Sequence, residues 1–460
     1  MNRLSLIFWR KLCHVFKKMG LGLFFLCLSP LIQAENLHTY RLQNGLQILV
    51  KPDHRAPVVV SQVWYKVGGS DEPNGLTGIS HALEHMMFRG TPRFGPNVLE
   101  QRVAANGGIQ NAFTDSDFTA YYQLFPAEKL PISFELEADR MRHLLLRAED
   151  FEKEIQVVRE ERRMRVEDTT RGPFLERVYA TAFISNPYHN PVVGWEPDLE
   201  QMTVEDLRHW YNQWYYPNNA VLVVVGDVDP DQVYRLAKQY FGPLKPGKLP
   251  VIKRHTDPDY LGQHILHFQG KSNVPWLLLA YPAPSLKLHP QSNDPYALVL
   301  LRTILSVGEN ARLNRRLVRN SAIVTEVDAD YSGWTRFDSL FMLSATPAPG
   351  HTAEEVKQAM LDEIADIQKK GVSTEELTRA KTQLTASETY RQDSIEQQAY
   401  ELGQTAAINL PLSVRTDYLS RIQAVTAKQI KDVTTRYFHL DNAVIAYLHP
   451  HVTHHDTPRV

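Results

Sequence analysis

Residues 202–225 read MTVEDLRHWYNQWYYPNNAVLVVV, and residues 425–448 read VTAKQIKDVTTRYFHLDNAVIAYL. The two segments align without a gap. Thr203 falls on Thr426, Trp214 on Tyr437, and Asn219-Ala220-Val221 on Asn442-Ala443-Val444. Each couples a helical pattern with an aromatic end to an apolar, strand-like run, so each reads as one helix–strand unit in one register. The period is far too long for a solenoid. It predicts an α+β protein of two homologous, duplicated α/β-sandwich domains, each a mostly antiparallel sheet packed with helices. The expected bounds are 36–245 and 260–450, joined by a Pro-, Gly- and Lys-rich linker at 246–259. A hairpin signal at Asn44-Gly45, and strand pairs rather than strict βαβ alternation, argue against a doubly wound sheet.

The ends differ from the rest. Residues 1–34 carry Arg3, Arg10, Lys11, Lys17 and Lys18, no acid, and then a short apolar run broken by Pro30. Basic start, apolar middle and small Ala34 match a secretory signal peptide, with a mitochondrial presequence and an uncleaved anchor as rivals. The expected location is exported, in a bacterial periplasm. Residues 451–460 form a histidine-rich tail, expected to be flexible, whose surplus imidazoles could also collect metal adventitiously.

Losing those five cations takes the formal net charge of the 460-residue chain from −2 to −7. A mildly acidic chain without a basic block gives no reason to expect nucleic acid or anionic lipid. Cys13 and Cys27, the only cysteines, both lie in the leader. The remainder therefore has no disulfide, thiol nucleophile or thiolate ligand, and any metal must be held by His, Asp and Glu.

Such residues occur at GISHALEHMMFRGT, beginning at Gly78. On a helix, His81 and His85 stand one turn apart and can aim two imidazoles at one point, half of a tetrahedral zinc site. Glu84 lies between them in angle and can reach a water beside the metal without being a ligand, as a general base would. The order H-x-x-E-H is a metallopeptidase pattern, the reverse of H-E-x-x-H. The competing reading is a polar helix surface, which leaves the flanking apolar residues unexplained. A third ligand is needed, and the helix FEKEIQVVREERRMR from Phe151 is dense in carboxylates. Phe151, Ile155 and Val158 form its apolar stripe; Glu154 and Glu161 fall beside it, whereas Glu152 and Glu160 point away. A charged surface helix is the plainer alternative.

His81-Ala82-Leu83-Glu84-His85 followed by MMFRGT, and EIQVVREE somewhat under eighty residues later, resemble the inverted-motif zinc metallopeptidases: pitrilysin, insulin-degrading enzyme and mitochondrial processing peptidase. The resemblance extends over ANGGIQNAFTDSDFTAYY, NPYHNPVVGW and YYPNNAVLVVVGDV. It implies one Zn²⁺ per chain bound by His81, His85 and Glu161, with Glu84 as general base and Glu154 supporting the site. It also implies that Asn111-Ala112-Phe113 is the edge strand that pairs with an extended peptide. The length matches the family's short branch, in which two subunits close around a chamber.

One departure stands out. The family's second domain usually supplies an arginine and a tyrosine, seven residues apart, to the substrate carbonyl. Here Val318 and Thr325 occupy those places, and Arg316, Arg319 and Tyr331 are out of register. The expected assembly is thus a heterodimer with a zinc-less homologue that supplies Arg and Tyr, with a homodimer as second choice. The alternative to a peptidase is a catalytically silent scaffold of the same fold.

Overall fold

The computed structural model describes residues 37–251, 253, 257–258 and 262–450, so the expected leader, the tail and parts of the linker lie outside the described residues. Asn44-Gly45 makes the turn its sequence suggested. Gly45 takes φ +94°, and the turn joins β1 (His38–Arg41) to β2 (Gln47–Pro52), Arg41 opposite Gln47. A positive φ there costs glycine nothing.

β3 (Val58–Tyr65), β4 (Ile109–Thr114), β5 (Thr119–Pro126) and β6 (Ala220–Gly226) complete a first sheet in the order β1-β2-β6-β3-β5-β4. β7 (His264–Gly270), β8 (Trp276–Ala283), β9 (Val324–Asp330), β10 (Ser339–Pro347) and β11 (Val444–Pro450) form a second, β7-β11-β8-β10-β9. Apart from β1 the sheets have one topology: β2–β6 and β7–β11 are parallel, and the other pairs antiparallel.

The duplication runs through the helices. In chain order these include α1 (Ile79–Met86), α2 (Leu130–His143), α3 (Ala148–Arg162), α4 (Gly172–Ala182), α5 (Val204–Trp214), α6 (Pro230–Tyr240), α7 (Asp294–Ser306), α8 (Ala353–Lys370), α9 (Ile395–Ala407) and α10 (Ala427–Tyr437). From α2 onward one offset relates the halves: Leu130 to Ala353, Gly172 to Ile395 and Val204 to Ala427 are each 223 residues apart. Thr203 and Thr426 cap α5 and α10 in the same way, each accepting an N–H three residues on, as the shared sequence requires.

Strand alternation gives each sheet two apolar faces. Ile48, Val63 and Leu222 of the first sheet turn toward α1, α2, α5 and α6. Val60, Trp64 and Val223 turn the other way, onto Ala399, Leu402 and Ala406 of α9, which belongs to the second half. The exchange is mutual. Phe174, Val178 and Ala182 of α4, in the first half, cover Leu278, Ala280 and Ala446 of the second sheet. Equivalent helices of the repeat are thus traded between halves.

Candidate metal centre

α1 begins at Gly78 with φ +85°, where an added Cβ would meet the Val193 carbonyl oxygen at 2.5 Å and Gly194 Cα at 2.9 Å. Only glycine lets the helix start that close to the 190–195 loop. Its first N–H groups are not left orphaned: the buried Glu72 carboxylate accepts from Gly78 N at 2.6 Å and Ser80 N at 2.8 Å. Burial pushes that carboxyl up to about 8, against the two N–H bonds that favour its anion.

α1 packs between the β4 edge, α3 and α5, and this brings the expected residues together. His81 and His85 present their rings 4.9 Å apart at 82°. Glu161 comes up from the last turn of α3, with Oε2 3.3 Å from His85 Nε2 and Oε1 3.6 Å from His81 Nε2. Among the described residues these three are the group whose donor atoms could hold one ion, all within 4.8 Å of one another. Donors about 2.1 Å from a tetrahedral centre lie roughly 3.4 Å from each other. The separations match that edge and exceed those of a charge-assisted hydrogen bond. Two imidazoles and a carboxylate, with no thiolate, are a donor set that suits Zn²⁺.

The electrostatics follow from this crowding. His81 and His85 hold the Glu161 carboxyl well below its ordinary range, although burial works the other way. Burial opposes charge on His85, yet Glu161, Glu84 and Glu154 outweigh it and raise its pKa.

Glu154 lies two helical turns before Glu161, buried, with Oε2 3.3 Å from His85 Nδ1 and its other oxygen on Arg89. A carboxylate on the far nitrogen of a ligand histidine fixes ring orientation and tautomer. Glu152 and Glu160 face solvent, as the helical projection required. Glu84 Oε2 accepts from Thr114 Oγ1 at 2.6 Å, at the end of β4. β4 is the outermost strand, paired only with β5, so Asn111-Ala112-Phe113 lie on an edge, beside α1. The Phe113 ring packs against Trp64 and Tyr400.

Sequence reasoning passed over several contributors. Thr114 closes the quoted NAFT, Arg89 follows His85 by one turn, and Arg165 pairs with Glu161 from the π-helical turn Arg163–Glu167. Arg162, buried beside Glu161, binds Glu176 at 2.7 and 3.0 Å and donates to the Gly194 carbonyl at 2.7 Å. Arg162 and Arg165 both project near the apolar stripe of α3, and that was the signal: an arginine there needs a buried partner.

The second half has no such centre among the described residues. In the 223-residue register Leu377 and Leu384 stand where the first half has Glu154 and Glu161. Val318 is half-buried against the core, and Thr325 Oγ1 bonds the Thr346 carbonyl. The three out-of-register residues are engaged elsewhere: Arg316 binds Glu363 and Asp366, Arg319 binds Glu309, and the buried Tyr331 hydroxyl donates to the Pro284 carbonyl.

Residues 47–196 match the family model described as Insulinase (Peptidase family M16), and residues 201–384 match Peptidase M16 inactive domain. A zinc protease of Helicobacter pylori, PqqE, is 30% identical over 345 residues, 74% of this chain and 76% of its own. The chain belongs to peptidase family M16. A crystal structure of a protease from Helicobacter pylori matches with a TM-score of 0.85 at 27% identity, over 90% of this chain and all (100%) of that one. The periplasmic protease PqqL of Escherichia coli shares the fold, with a TM-score of 0.78 at 18% identity, over 90% of this chain and 47% of that one. The two M16 models divide the chain as the chemistry does: the donor cluster lies in the first, and the leucine-substituted repeat in the second.

Proposed function

We propose that this M16 chain is a zinc-dependent endopeptidase that hydrolyses short or unfolded peptides. The observation that carries the reading is the convergence of His81, His85 and Glu161, with Glu84 beside them at the free edge of β4. Zn²⁺ held by the three residues would supply Lewis acidity, acidifying a nearby water and polarising a peptide carbonyl. Glu84, oriented by Thr114, takes the proton of the attacking water and returns it to the leaving nitrogen. Glu154 and Arg89 keep His85 turned to its task. The backbone of Asn111-Ala112-Phe113 adds the substrate as a further strand, a grip indifferent to side chains that admits only extended chains.

Val318 and Thr325 offer no oxyanion donor, and Arg316, Arg319 and Tyr331 are engaged elsewhere. A missing donor pair removes about 3 kcal/mol or more of barrier lowering. The reading therefore includes a heterodimer, with a zinc-less homologue supplying Arg and Tyr, ahead of a homodimer. It also includes domains at 36–245 and 260–450 and export to a bacterial periplasm, as the sequence of residues 1–34 suggests and as PqqL, a periplasmic relative in fold, exemplifies.

The silent-scaffold reading finds support in the inactive-domain match, but that match covers only the half without the donors. Metal analysis of the chain, alone and co-purified from its host, together with cleavage of an unstructured fluorogenic peptide, decides the matter. Stoichiometric zinc with cleavage that rises on adding the partner is expected. A chain that binds no zinc, or that binds it and cleaves nothing with its partner present, refutes the reading. Full activity as a homodimer refutes the heterodimer alone.

A further inference from the structure

On the side of the first sheet away from α1, a cavity of about 320 Å³ opens where the two halves meet. Lys66, just past β3, reaches into it with Lys253, Lys287 and Arg336, and among the described residues no carboxylate lines it. Arg336 is already balanced, with Asp71 at 2.7 Å and the Asp117 carboxylate beyond. Among the described residues the two inner lysines share Asn409: Lys66 Nζ donates to Oδ1 at 2.6 Å, and Lys287 Nζ donates to its carbonyl. The charged groups that act on Lys66 are cations, Arg41, Arg336 and Lys287. Together with burial, the larger cause, they bring its pKa down to about 8.

Two half-buried ammonium groups meeting at one asparagine, with the exposed Lys253 beside them, form an arrangement that favours an anion. We propose that the cavity binds a compact dianionic oxyanion of phosphate type. Lysines bind phosphate as point charges, and the hydrogen bonds they donate to it are charge-assisted. The partners come from both halves: Lys66 and Asn219 from one, Lys287, Arg336 and Asn409 from the other. A bound anion would therefore pin the junction. The same chemistry accepts free phosphate or the terminal phosphate of a larger solute.

Thermal unfolding of the full chain, titrated with inorganic phosphate against chloride at equal ionic strength, tests this, with ³¹P NMR to count sites. A saturable rise in Tm with one phosphate per chain is expected. Lys66→Met combined with Lys287→Met should weaken binding at least tenfold. Without phosphate, Lys66→Met should be as stable as the native chain or more so, because it removes a repelled ammonium; with phosphate the order should invert. Pyrophosphate or ATP displacing phosphate at lower concentration points to a larger solute, and their failure to compete points to the free anion. A rise that chloride reproduces, or one that the double variant retains, overturns the proposal. So does a Lys66→Met chain much less stable without phosphate, since Lys66 would then already be balanced.

Discussion

At the scale of single residues, Glu84 and Glu161 are both carboxylates near one point, yet their surroundings differ. Glu161 lies against both imidazoles, and Glu84 is held by a hydroxyl at the β4 edge. Glu84→Gln should keep zinc and lose turnover by roughly 10²- to 10⁴-fold, the usual worth of a general base. Glu161→Gln should instead lose the metal, read by zinc content after dialysis. Glu154→Gln should weaken zinc by about 10- to 100-fold, as removal of a partner behind a ligand histidine does. Thr114→Val should lower kcat with zinc content and KM little changed. The donor cluster was legible because i,i+4 spacing and helical projection are local. Thr114 and Arg89 were not, because their partners lie 30 and 65 residues away and no periodicity links them.

At the scale of elements, the centre depends on how α1 and α3 are held together. Gly78 at the start of α1 touches Gly194, and the Gly194 carbonyl takes the hydrogen bond of Arg162, next to Glu161. One loop thus joins the helix with the histidines to the helix with the glutamate. Gly194→Ala places a Cβ 2.4 Å from the Thr77 carbonyl oxygen in a backbone of φ +89°. It should lower stability by about 1–3 kcal/mol and weaken zinc as well, measured by calorimetry and metal competition. Gly95→Ala, whose new methyl meets only Val98 Cγ2 at 3.9 Å, should do neither. The elements themselves were legible, since the 202–225 and 425–448 segments carry capping residues, aromatic ends and strands. Their mutual placement was not: VVGW gives no local sign that Gly194 must abut Gly78.

At the scale of the molecule, the repeat predicted two units and the core joins them. α9 covers Trp64 and Val223 of the first sheet, and α4 covers Leu278 and Ala446 of the second. Neither half can bury both faces of its own sheet. The whole chain should therefore unfold in one calorimetric transition, and residues 36–245 expressed alone should aggregate or bind a hydrophobic dye. Two separate transitions would show that the halves are independent. Sequence symmetry could not reveal the exchange, because α4 and α9 satisfy the same apolar pattern whichever sheet they cover.

That exchange has a consequence for how the protein is made. Synthesis proceeds from the N-terminus, so the Trp64 face stands bare until the Ile395–Ala407 helix leaves the ribosome. The first half cannot complete its core as it is translated, because the helix that covers this face comes from near the end of the polypeptide. If the chain is exported as proposed, this delay leaves its first half without a finished core while translation is still under way.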